Sequence, residues 1–304
     1  MRPRLLICLG AQKSATTWVH SQLAKHPAVH MPPLKEVNYW NTVRAPFTMQ
    51  YRYDARARLR QVKGPYGLRL GFRGLLSAEA RHEAEIAASY AALLNGNGLD
   101  HDSYLRFLGL DRTRANVIAD FTPWYALLSS ETFAEIDRMP VDVSYLFLMR
   151  DPIDRLVSGV NHWARHYARA PDLRARVAER IWHDALSSDD NMHVRFSRYD
   201  LTIKRLEAVI PRERIMYLFY EQITKPASRD ALAEFLDIQP DGPWEHTDRV
   251  NAQRQTKFLP GDDERERAYA CLAPTYATIH GRFRDSVPEA WLPLPSSAQA
   301  RSTP

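Results

Sequence analysis

Apolar runs punctuate the chain at residues 5–9 and 215–219 and, nearly continuous, at 143–149, with short strand-like stretches at 28–31 and 116–120. Runs without polar alternation are how parallel strands read when helices cover both faces of their sheet. Between them lie stretches whose apolar residues return at helical spacing. They run from Trp18 to about His26, over 77–94, from Pro152 past Trp163, over 196–209, up to Leu236, and over 262–284. Turn chemistry marks the joints. Pro32 and Pro33 stop the run at 28–31, Asn95-Gly96-Asn97-Gly98 closes the stretch at 77–94, and Pro152 stands where a helix takes its first residue. Strand and helix in turn predict the α/β class, with a central, mostly parallel sheet flanked by helices. The length suits one domain over residues 1–304, ending in a small, polar tail at 294–304 that is expected to fray.

The first joint carries the most chemistry. After the run at 5–9 come Gly10-Ala11-Gln12-Lys13-Ser14-Ala15-Thr16-Thr17-Trp18, read as strand, anion-binding loop and helix. A helix that opens after a buried strand directs unpaired N–H groups and its positive dipole end at one spot, where phosphate or sulfate belongs. Lys13 adds a mobile charge, and the hydroxyls of Ser14, Thr16 and Thr17 add donors. The plain alternative is an ordinary turn capped by Ser or Thr. The topology this predicts is that of a P-loop nucleotide binder, but G-x-x-x-x-G-K-[ST] itself is absent. Counted from Gly10, Ala15 stands where the second glycine belongs and Thr16 where the lysine belongs.

Charge and composition narrow the partners. The 304 residues are 45% hydrophobic with a formal net charge of +5. That excess suits an anionic partner and is modest for a nucleic-acid binder, so no nucleic acid is expected. Two cysteines, Cys8 and Cys271, argue against a disulfide framework. The run at 5–9 meets Gln12-Lys13 too soon for a signal peptide, and no stretch nears the roughly 18 to 20 apolar residues that span a bilayer. A soluble, cytoplasmic protein is the expectation. One segment is the most basic part of the chain: from Arg44 to His82 nine Arg or Lys face two acids, with glycines interrupting. This basic, partly irregular insert at about 44–82 reads either as a solvated face or as a patch for an anionic acceptor or a membrane surface.

A second anion motif follows the run at 143–149. Arg150-Asp151-Pro152 leads into a helix carrying Arg155 and Ser158, and an Arg at a strand's carboxyl end is a good phosphate clamp. Its alternative is a structural ion pair with Asp151 or Asp154. No H-E-x-x-H or paired-cysteine spacing occurs. His162 and His166 lie one helical turn apart, flanked by Trp163 and Arg165, and are read as part of a helix face near nucleotide or acceptor rather than as metal ligands.

Lys13-Ser14-Ala15-Thr16-Thr17-Trp18 resembles the 5′-phosphosulfate loop, commonly Lys-Ser-Gly-Thr-Thr-Trp, of sulfotransferases that use 3′-phosphoadenosine 5′-phosphosulfate, PAPS. Ala15 departs from it, and its methyl is tolerable if the backbone there is helical and not left-handed. Arg150-Asp151-Pro152-x-x-Arg155-x-x-Ser158 resembles the same family's 3′-phosphate motif. Asp120-Phe121-Thr122-Pro123-Trp124-Tyr125 is similar to the Glu-Lys-Thr-Pro-x-Tyr stretch of the Golgi-type and bacterial branches, with Phe121 in the lysine's place. Tyr220-Glu221 and Phe235-Leu236 look like its Tyr-Glu-x-Leu and Phe-Leu-Gly segments, and 249–257 lies where the family places a loop over the nucleotide.

The resemblance implies a sulfotransferase moving a sulfuryl group from PAPS to a hydroxyl or amine, with no metal. It implies donor contacts from Gln12, Lys13, Ser14, Ala15, Thr16, Thr17, Trp18, Arg150, Ser158 and Tyr199, with Arg254 and Lys257 as candidates on the covering loop. Lys13 would stabilise the departing bridging oxygen, and Trp18 would stack on adenine. Glu36 is similarly placed to the glutamate of the Glu-x-His-Phe-Phe segment that deprotonates the acceptor in heparan sulfotransferases; His162 and His30 are reserves for that role. The acceptor is expected to be a carbohydrate or another anionic or sugar-bearing molecule, with a lipid headgroup or small metabolite as alternatives. Two other classes stay open, a P-loop-type kinase and a non-catalytic acidic-glycan-binding protein that uses the basic insert.

Overall fold

The structure is a computed structural model that describes residues 3–44, 85–93 apart from 87, 100–240 apart from 112, and 258–291. Its sheet has five strands: β1 (Arg4–Gly10), β2 (Val29–His30), β3 (Val117–Phe121), β4 (Val143–Met149) and β5 (Ile215–Phe219). They lie in the order β2-β3-β1-β4-β5, and every pairing is parallel, so the expected mostly parallel sheet is wholly parallel. Helices carry the crossovers. In chain order they are α1 (Thr16–Leu23), α2 (Tyr39–Arg44), α3 (His101–Phe107), α4 (Ser130–Asp137), α5 (Pro152–Tyr167) and α6 (Arg174–Leu186). They continue with α7 (Met192–Arg195), α8 (Tyr199–Glu207), α9 (Pro226–Leu236) and α10 (Asp262–Phe283).

Burial on both faces explains the apolar runs. All seven residues of β4 are buried. Successive side chains on a strand leave by opposite faces. Leu5, Ile7 and Leu9 of β1 accordingly join Tyr145, Phe147 and Met149 in one core, while Leu6 and Cys8 join Leu146 and Leu148 in the other. A third cluster packs α5 against α6 and α10, around Leu156, Val160, Trp182 and Leu272. Among the described residues, no helix is long and apolar enough to cross a membrane.

The strand boundaries at 143–149 and 215–219 fall where the apolar runs place them. Helix ends differ more. α1 closes at Leu23 rather than near His26, and α8 opens at Tyr199 rather than at 196 because a separate short turn, α7, precedes it. Most of the basic insert, the loop at 249–257 with Arg254 and Lys257, and the tail at 294–304 lie outside the described residues.

Candidate active site

Parallel strands direct their carboxyl ends to one edge of the sheet, and ligands of open α/β sheets bind beyond that edge. β1 and β4 are neighbours, so the loop after Gly10 and the corner at Arg150 come to the same edge. Gly10 is required there. Its φ is 128°, and a Cβ would lie 2.9 Å from the Pro123 carbonyl oxygen. Lys13 follows with φ 71° and Ala15 with φ 64° and ψ 19°, both left-handed. The helical backbone that would suit an alanine is therefore not what the loop adopts. The methyl costs about 1–2 kcal/mol in that conformation.

The loop's shape leaves α1 open at its N-terminus. Ala15 is the N-cap and offers no side chain, so no residue of the loop caps the helix. The opening N–H groups and the positive dipole end stay available to an anion. Ser14 is fully buried; its hydroxyl lies against the Tyr199 phenol, yet neither it nor Gln12 Oε1 has a partner at hydrogen-bond geometry. Buried polar atoms without partners are costly, and a ligand with phosphate oxygens and ribose hydroxyls offers what they lack. Lys13 is largely buried, which pushes its ammonium down to about 8; Arg165, Arg150, Lys35 and Arg155 push in the same direction. The strongest charges acting on Lys13 are thus all cations, an arrangement that an anion relieves.

Around Arg150 the helix start is capped. Asp151 caps α5 by accepting from the Asp154 N–H at 2.9 Å, and Tyr276 donates to its other oxygen at 2.8 Å. Tyr199, fully buried as its helical spacing suggests, donates its hydroxyl to the Arg150 carbonyl at 2.9 Å. The Arg150 guanidinium stacks 4.8 Å over the Tyr220 ring, and Glu221 accepts from the Asp151 N–H at 3.2 Å. Arg155 is fully buried and binds Ser197 Oγ at 2.7 Å and the His193 carbonyl, so this arginine of the motif braces the corner. Burial lowers its guanidinium to about 10. Ser158 stands two turns into α5 on a partly exposed face.

The end of β3 holds Glu36. Its N–H donates to the Phe121 carbonyl at 3.1 Å, the Asn38 N–H reaches Thr122 Oγ1 at 3.4 Å, and Asn38 Nδ2 donates to the Glu36 carbonyl at 2.6 Å. Glu36 and Asn38 are both left-handed, with φ 58° and 56°, strain of about 1–3 kcal/mol each that the surrounding bonds hold in place. Asp120, fully buried, anchors the arrangement by accepting from Thr122, Tyr104 and Tyr125 at 2.6, 2.8 and 2.9 Å. Lys35 completes it. Its Nζ donates to Thr17 Oγ1 at 2.7 Å and lies 3.8 Å from Glu36 Oε1, so one ammonium ties the carboxylate to the anion loop.

Lys35 was not among the expected site residues; its position beside Glu36 in sequence was the available signal. Phe121, in the place of the family's lysine, is buried against His20 with ring centroids 5.4 Å apart and presents no polar group. Trp18 is partly buried against the core on the α1 side of the sheet. His30 packs at Gly109, where a Cβ would meet its ring at 2.4 Å. His162 accepts on Nδ1 from Arg165 Nη2 at 3.4 Å. Arginine only donates, so this contact assigns the ring proton to Nε2 and makes His162 a donor rather than a base. Burial, then Lys13, His166 and Arg165, push His162 down to about 3, so it is neutral at pH 7. Among the described residues no His, Cys, Asp and Glu group forms a metal cluster.

Residues 4–256 match the Sulfotransferase family. The chain belongs to that family. The sulfotransferase from Alicyclobacillus acidocaldarius shares its fold, with a TM-score of 0.61 at 20% identity over 96% of this chain and 99% of that one. The sulfotransferase domain of the Synechococcus PCC 7002 olefin synthase gives 0.47 at 14% identity, covering 88% and 93% of the two chains. The domain from the curacin biosynthetic pathway gives 0.46 at 13% identity, covering 90% and 97%. No curated protein matches the chain by sequence. As a sulfotransferase family member the protein transfers sulfuryl groups, and both anion motifs fall inside the matched span.

Proposed function

We propose that this sulfotransferase takes its sulfuryl group from PAPS and delivers it in line to a hydroxyl or amine of a sugar-bearing acceptor. The observation that carries the reading is the uncapped start of α1 with the largely buried Lys13 in the loop before it, one strand away from the Arg150 corner. A nucleotide with phosphate at both ends suits two such places on one edge. Gln12, Ser14, Thr16, Thr17 and the α1 N–H groups take the 5′ end, Arg150 and Ser158 take the 3′-phosphate, and Trp18 stacks on adenine. Arg254 and Lys257 close over the nucleotide in this reading.

Sulfuryl transfer needs alignment and neutralisation of spreading charge more than covalent work by the protein. The acceptor oxygen or nitrogen forms its bond to sulfur as the bond to the bridging oxygen breaks. The acceptor's proton passes to the Glu36 carboxylate, and Lys13 balances the charge on the departing 3′-phosphoadenosine 5′-phosphate (PAP). Lys35, between Thr17 and Glu36, keeps base and donor loop in register.

Sulfate transfer from labelled PAPS to a panel of sugars, lipid headgroups and small alcohols and amines tests the reaction. PAP is expected to bind far more tightly than AMP, and equal affinities would refute the donor assignment. Glu36→Gln is expected to lower kcat about 10²- to 10⁴-fold while PAP still binds. Undiminished turnover in that variant removes Glu36 from the mechanism.

A further inference from the structure

α5 carries more cation than the donor requires. Ser158, His162 and Arg165 are spaced four and three residues apart and share one strip of the helix. Arg165 lies seven residues beyond Ser158, about 10 Å further along the axis and away from Arg150, which precedes the helix. Arg165 is only partly exposed, and burial and Arg174 both press its charge downward. Among the described residues its hydrogen-bond partner is His162, and no carboxylate pairs with it. It is also the charge that acts most strongly on Lys13. Lys13, Arg165 and His162 thus offer donors, the Lys13 ammonium, the Arg165 guanidinium and the Nε2–H of His162, with the His166 ring packed 4.9 Å from that of His162.

In the reading above, the donor's charges already have partners at the α1 loop and at the Arg150 corner. The group left to meet Arg165 is the acceptor. A partly buried guanidinium with no acid paired to it among the described residues is relieved by an anion, and its planar fork fits a carboxylate with two parallel bonds. On the neighbouring strip Trp163 and Tyr167 stack, with centroids 5.9 Å apart and planes at 22°, and Tyr167 is 59% exposed. Aromatic faces of this kind receive the C–H face of a sugar ring.

We infer that Arg165 and the Nε2–H of His162 form an acceptor subsite for a carboxylate carried on a sugar ring, with Trp163 and Tyr167 as the surface beside it. The inference rests on the PAPS reading, since it assigns to the acceptor the cation that the donor leaves over. Arg165 is a specificity-determining residue in this account. Its fork selects acidic sugars over neutral ones of the same shape.

The test uses the full chain saturated with PAP, titrated by calorimetry with p-nitrophenyl glucuronide and with the uncharged p-nitrophenyl glucoside. The glucuronide is expected to bind about ten- to a hundredfold more tightly, the range of one charge-assisted pair, with the margin shrinking as salt rises. Arg165→Gln should erase the margin while PAP affinity holds, and Arg165→Lys should restore part of it. Equal binding of the two sugars, including no binding of either, overturns the proposal, as does a margin that survives Arg165→Gln. PAP affinity is measured first, so failure of the donor reading registers separately from failure of the acceptor subsite.

Discussion

The two anion motifs occupy neighbouring strand ends and are built on opposite principles. The loop after β1 leaves its helix uncapped, holds two left-handed residues without glycine, and keeps Ser14 and Gln12 atoms without hydrogen-bond partners. The corner after β4 has its helix start occupied: Asp151 caps α5, Tyr276 holds Asp151, and Tyr199 and Glu221 hold the backbone at Arg150 and Asp151, although Arg155 Nη1 and Glu221 Oε2 are buried there without partners. A strand-to-helix joint is therefore not in itself a phosphate site. Where the protein's own carboxylate already occupies the helix start, a phosphate has to be held by side chains, the role proposed above for Arg150 and Ser158. Where the cap is missing, as at α1, the backbone N–H groups stay open to an anion.

The largest break in that contrast is expected from Lys13. Lys13→Ala should lower kcat about 10²- to 10³-fold, the usual cost of removing one preorganised charge from a transition state. The same residue predicts a pH signature. Its ammonium has been pushed down to about 8, so donor affinity is full below that pH and falls as pH rises through it. Lys13→Arg keeps its charge at higher pH and should hold affinity to about pH 9 or beyond. A flat pH dependence in the wild type would show that the backbone alone binds the 5′ end.

A smaller effect is expected at the capped corner. Arg150→Ala should reduce the preference for PAP over AMP about ten- to a hundredfold while leaving AMP affinity nearly unchanged, because the helix start there has no N–H groups to take over. Retention of the full preference would move the 3′-phosphate elsewhere. The smallest effect belongs to Ala15→Gly, which relieves the left-handed methyl at the cost of a more flexible unfolded chain. The balance should be a gain of up to about 1 kcal/mol, seen as a modest rise in Tm. A fall in Tm would mean that the methyl makes contacts worth more than its strain.

Much of this architecture was legible from residue order. The runs at 143–149 and 215–219 became strands with those limits; β4 is buried along its whole length and Ser144 is its one polar residue, while β5, at the sheet edge, is only partly buried at its three central residues. Pro152 opened its helix, and Tyr199 proved buried. Helix ends were less legible, since α1 stops at Leu23 without a glycine or proline to mark the place. Of the candidate site, order along the chain brings out the two joints whose residues are consecutive, Gln12 to Trp18 and Arg150 to Ser158, and the structure sets both at one edge of the sheet. The site was illegible where distant segments meet. Nothing local indicates that Lys35 touches Thr17, or that Tyr199 fastens Arg150 across 49 positions.

By itself the chain order determined the alternation of strand and helix, the parallel sheet and the chemical character of each joint. Those follow from short-range periodicity and from which residues tolerate a turn. Only the tertiary structure decided which helix start is open and which is capped, that Ala15 is left-handed, and that burial together with the charges of Arg165, Arg150, Lys35 and Arg155 pushes the Lys13 ammonium down. Caps and charge interactions are made by side chains brought together through packing of the sheet, and their energies depend on burial and distance, which spacing along the chain does not encode.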